Sequence, residues 1–132
     1  MDISKVIFII LLVSLTACSF AESNQSPVIN KDQGTIVLPQ KMKKAIKAFN
    51  PDFEMWKFED YSRKIVNDDH QKDNARKLPF ALIVDANKDN IPDVVLDGHD
   101  KKQALLIGVI SENNEYRVSI IEEKRLVNPK TI

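Results

Sequence analysis

A single cysteine, Cys18, rules out an intramolecular disulfide and any zinc site built from several thiolates. Three glycines, Gly34, Gly98 and Gly108, leave no room for a glycine-rich loop that cradles a phosphate. Neither sign of charge is in surplus. The 19 Lys and Arg balance 19 Asp and Glu, which argues against nucleic acid as the main partner, since phosphate binding requires a basic excess. No serine sits in a G-x-S-x-G elbow, and no H-E-x-x-H pair occurs. What remains, 43% hydrophobic and 29% charged residues over 132 positions, is the composition of one ordinary globular domain.

The chain begins with one lysine, Lys5, and then an apolar run over residues 6–15 broken only by Ser14. A bilayer span needs roughly 20 apolar residues, so this run fits the core of a secretory signal instead. It ends in Leu15-Thr16-Ala17-Cys18, which resembles the lipobox of bacterial lipoproteins. The resemblance implies cleavage before Cys18, a diacylglycerol on its thiol, and acylation of the new amino group. It also implies a place in the cell envelope. Ser19, where an Asp would signal retention, implies the outer membrane, with the domain facing the periplasm. Multiple acyl chains anchor stably where one does not. An ordinary signal peptide, or a buried segment with a free thiol, is the plainer alternative.

Residues 19–33 are polar and without period, as a tether is. The organisation expected is therefore a signal over 1–17, lipidated Cys18 with a tether over 18–34, and one domain over 35–132. Met42, Ala45, Ile46 and Phe49 recur at helical spacing between Pro39, suited to a first turn, and Asn50-Pro51, which stop it. The opposite face carries Lys41, Lys43, Lys44 and Lys47, either simply solvated or a docking surface for an envelope protein. Strands are predicted over 54–59, 80–84, 93–96, 104–110 and 116–121, with a turn at Asp97-Gly98 and a hairpin loop over 111–115. This order is α+β: an N-terminal helix packed on an antiparallel sheet of about five strands.

The segment Asp85-Ala86-Asn87-Lys88-Asp89-Asn90-Ile91-Pro92-Asp93 sets oxygen-bearing side chains at alternate positions. In a coiling loop these converge, and calcium takes six to eight hard oxygens. Asp85, Asn87 and Asp89 would supply side-chain oxygens, Ile91 its carbonyl, and Asp93 a carboxylate. Three crowded carboxylates also repel one another, a cost that a cation removes. Asn90 stands where such loops have Gly, and Asn tolerates a left-handed backbone. Leu96 occupies the twelfth position, where an EF-hand needs Glu, and strands flank the loop in place of helices. Strand, D-x-[DN]-x-D-x-x-x-D, strand resembles the calcium loop of FG-GAP and VCBS repeats. With a single loop and no internal repeat, a full propeller is out of reach. The alternatives are a solvated loop of Asx turns or another metal.

His70, beside Asp68 and Asp69, and His99, beside Asp100, are the only histidines. They are expected to be exposed loop residues, or else, with nearby carboxylates, the centre of a small hydrolase or inhibitor. The favoured expectation is a lipid-anchored envelope protein of binding or structural type, without catalysis, holding one calcium ion.

Overall fold

In the computed structural model, which describes residues 25–61 and 76–126, the elements follow in chain order. A hairpin of β1 (Val28–Asn30) and β2 (Thr35–Val37) precedes the helix α1 (Gln40–Phe49) and a short strand β3 (Glu54–Met55). A 3-10 turn over Phe58–Asp60 comes next. Then come β4 (Lys77–Leu78), β5 (Ala81–Val84), β6 (Asp93–His99), β7 (Gln103–Glu112) and β8 (Glu115–Arg125). The class is α+β. Among the described residues no helix is long and apolar enough to cross a membrane.

Alternation along the central strands determines what is buried. Val94 and Leu96 of β6 face Val109 and Ile107 of β7 across the ladder, and all four are completely buried. Six strands form one antiparallel sheet in the order β4-β5-β6-β7-β8, with β3 on the edge of β6 that β5 leaves after Leu96. The β7–β8 turn is Asn113-Asn114, with φ of 51° and 63°, the doubly left-handed geometry that matches strand twist and that Asn tolerates.

Helix α1 packs Met42 and Ile46 on this sheet, against β7 and β8. Pro39 stands just before it in extended conformation, and its carbonyl accepts the first helical bond, from Lys43 N at 3.1 Å. Asn50 closes the other end: its N–H donates to the Ile46 carbonyl at 2.9 Å, and its side chain donates to Asp100 at 3.0 Å. That contact ties the helix exit to the β6–β7 connection.

Several expectations are corrected. The helix is not the first element, because residues 28–37 pair as a hairpin that crosses the expected tether boundary at 34. Gly34, with φ of 62°, makes its turn, and Asn30 Oδ1 accepts from Gln33 N at 3.1 Å. Among the described residues the sheet has six strands, where about five are expected. The strand expected over 54–59 stops at Met55, where pairing with β6 runs out. Asp97-Gly98 is no turn. Gly98 lies within β6 because the Glu54 carbonyl and the Phe53 ring close over it: an added Cβ would overlap the carbonyl and stand 2.6 Å from the ring. Phe49, on the apolar stripe by spacing, is 40% exposed, and Phe53 fills the core at that end in its place. Ser111 and Glu112 extend β7, so the expected hairpin loop shrinks to two residues.

Candidate metal centre

The segment 85–93 joins β5 to β6, so its ends are pinned by a ladder pair, Val84 with Asp93. Left-handed backbone at Lys88 (φ 60°) and Asn90 (φ 66°) coils it tightly. The coil turns backbone N–H groups onto carboxylates. Asp85 accepts from Asp89 N at 3.1 Å and Asn90 N at 3.0 Å, one on each oxygen. Asp89 Oδ1 accepts from Ile91 N at 2.8 Å, and Asp93 Oδ2 from Ala86 N at 2.7 Å.

The remaining oxygens meet at the end of β7. Asp93 Oδ1 accepts from Ser111 N at 2.7 Å and lies 2.9 Å from Ser111 Oγ. Asp89 Oδ2 is 2.7 Å from the same Oγ. One hydroxyl carries one proton and satisfies one of the two carboxylates at a time. The other stands against a lone pair. Asn87 Nδ2 bridges the Ser111 carbonyl at 2.5 Å and Asp89 Oδ2 at 3.1 Å. Asp93 is wholly buried and is reached by neutral donors, the N–H groups of Ala86 and Ser111 and the Ser111 hydroxyl. Burying a carboxylate is costly unless such donors are supplied.

Electrostatics follow this geometry. The Ser111 hydroxyl, then the Ile91 N–H, hold the Asp89 carboxyl below its ordinary value. Burial, then the charges of Asp93 and Asp89, push the Tyr116 phenol up. A cleft of about 560 Å³ opens beside the cluster, between Ile91, Pro92, Ser111, Tyr116 and the start of α1.

The residues singled out in the sequence are thus only partly gathered. Asp89 and Asp93 meet on Ser111, and Asn87 joins them, but as a donor. Asp85 turns to the loop's own N–H groups. Ile91 supplies its N–H to Asp89 and is 41% exposed. Among the described residues no three His, Cys, Asp or Glu side chains are arranged to hold a metal ion. Ser111 was missed. Its signal is positional: it continues the buried series Leu105, Ile107, Val109, so a polar side chain there needs a buried partner.

Of the histidines, His99 packs against Trp56 with ring centroids 4.2 Å apart and planes tilted by 37°, at the opposite end of β6 from Asp93. Beside it, Tyr61 donates to Asp97 at 2.9 Å, and burial followed by that bond pushes the phenol well above its usual range. His70 and Cys18 lie outside the described residues. No family model matches the chain, and no curated protein or solved structure matches it either.

Proposed function

We propose that this is a lipid-anchored envelope protein of binding or structural type, held to the outer membrane through Cys18, whose 85–93 loop is closed by a calcium ion. The observation that supports the ion is the crowding of two carboxylates on one hydroxyl: Asp89 Oδ2 and Asp93 Oδ1 lie 2.7 and 2.9 Å from Ser111 Oγ, which has a single proton to give. A hard cation relieves that conflict, and the donors are the carboxylate, amide and hydroxyl oxygens that calcium selects. Asp85, Asn87, Asp89 and Asp93 would hold it with the Ile91 carbonyl, and Ser111 Oγ joins them. Asn87 would rotate its amide to present Oδ1 where Nδ2 now lies. The ion's contribution is to cancel the carboxylate charge. The chain's own contribution is to pin the loop between β5 and β6 and against the end of β7.

The role is stabilising. His99 packs against Trp56, at the other end of β6 from the acidic cluster. Calcium titration followed by calorimetric melting tests the ion, with Asp89→Ala as the variant that loses the response. Radiolabelled fatty-acid incorporation and membrane fractionation of Cys18→Ala test the anchor. Labelling and membrane association that survive the substitution overturn it.

A further inference from the structure

The β1–β2 hairpin poses a separate question. Two-stranded hairpins are marginal alone, and among the described residues no backbone hydrogen bond joins this one to the larger sheet. Side-chain packing holds it: Ile29 and Ile36 lean on the core, and the turn at Gly34 rests on the Phe58 ring. Between hairpin, helix and β3 lies a groove of about 750 Å³, walled by Ile36, Phe53, Met55, Trp56 and Phe58. Its size falls within the roughly 300–1,000 Å³ of small-molecule sites, and its walls are mostly apolar and aromatic as such sites are.

Charge on its rim selects the occupant. Lys43 and Lys47 stand one helical turn apart and line the groove, where Lys57 joins them against Glu54 and Glu59. Lys47 Nζ reaches only the Pro51 carbonyl, at 3.4 Å, and among the described residues neither Lys43 nor Lys47 pairs with a carboxylate. A ligand with an apolar chain and an anionic head satisfies both walls and rim. We propose that this groove binds a long-chain carboxylate of fatty-acid type, its chain against Trp56 and Phe58 and its head between Lys43 and Lys47. The proposal is independent of the calcium loop, which lies elsewhere.

Trp56 is the sole tryptophan and lines the groove, so it reports occupancy directly. The purified protein is titrated with a brominated fatty acid, with the brominated alcohol of equal chain length, and with a brominated lysophospholipid. Saturable quenching by the acid is expected, with the alcohol and the zwitterionic lysophospholipid weaker. The double variant Lys43→Glu/Lys47→Glu, at exposed positions that leave the fold intact, weakens the acid by about tenfold, as loss of two lysine contacts and gain of repulsion do. It leaves the alcohol unchanged. Ile36→Phe, which narrows the groove, weakens both ligands. Absence of saturable quenching overturns the site. Equal binding of acid and alcohol, or an affinity for the acid that ignores the double variant, overturns the anionic head. The double variant decides the matter alone if Ile36→Phe fails to fold.

Discussion

At its Gly98–His99 end, strand β6 is held by shape. Phe53 closes on Gly98 where no Cβ fits, β3 pairs along the edge, and Trp56 packs against His99. At its Asp93 end, the same strand is held by charge: a buried carboxylate accepts from Ala86 and Ser111, and Ser111 is shared with Asp89. Shape is indifferent to ions, whereas two carboxylates crowded on one hydroxyl respond to a cation that comes between them. One strand therefore carries a fixed end and a conditional end.

The fixed end breaks most sharply at Gly98. Gly98→Ala drives a methyl into the Glu54 carbonyl and Phe53 ring, and a cost of about 4 kcal/mol or more is expected, in the exceptional class for single substitutions. Urea unfolding followed by Trp56 emission measures it, and the loss is the same with and without calcium. Packing on α1 is next. Ile46→Ala costs about 3 kcal/mol as a buried large-to-small change. Phe49→Ala, at a position 40% exposed, costs about 1 kcal/mol or less. Equal costs in parallel denaturation curves would mean that the helix faces the sheet differently.

The conditional end breaks at Ser111. Ser111→Ala removes the hydroxyl shared by Asp89 and Asp93 but keeps the backbone N–H on Asp93, and costs about 2 kcal/mol without calcium, as loss of a hydrogen bond to a charged group does. Unlike the loss at Gly98, this one changes when calcium is added, and comparing the two variants in the two buffers isolates the difference.

A smaller effect separates acid sensitivity from ion sensitivity. The backbone N–H groups of Lys102 and Gln103, then the Asn50 amide, hold the Asp100 carboxyl below its ordinary value. A depressed folded-state value contributes stability that is present above the unfolded value of about 4 and is lost as pH falls through the folded one. Asp100→Asn therefore flattens the acid limb of a melting-temperature profile below about pH 4 and leaves the calcium response untouched. An unchanged acid limb would remove Asp100 from the explanation.

How much of this was legible in the sequence follows from the range over which each signal acts. The 85–93 loop and the strands around it announce themselves locally, through alternating oxygens and then alternating apolar residues. Helix α1 does so through Met42 and Ile46. Phe49 obeys the same spacing, but whether a last turn is buried depends on what lies opposite, and Phe53 occupies that end of the core. Gly98 read as a turn because Asp-Gly is turn chemistry, and only the ring beneath it explains a glycine inside a strand. Residues 28–37 read largely as tether because Asn30-Lys31-Asp32-Gln33-Gly34 is polar, although Val28-Ile29 and Ile36-Val37 flank it as a hairpin's arms do. Ser111 lies 18 residues from Asp93 and 22 from Asp89, and only sheet register brings them together.

The most direct measurement is calorimetric melting of the purified protein in about 10 mM calcium, in equal magnesium, and in chelator. With affinity on the order of 0.1–1 mM, as in extracellular modules, calcium adds about 1.4–2.7 kcal/mol to the folded state. The melting temperature then rises by about 5 °C or more. Magnesium, which demands tighter octahedral geometry, raises it far less, and Asp89→Ala loses the calcium response. A melting temperature that ignores calcium would contradict the conditional end and leave Asp85, Asn87, Asp89 and Asp93 as a hydrogen-bonded loop closed by Ser111 alone.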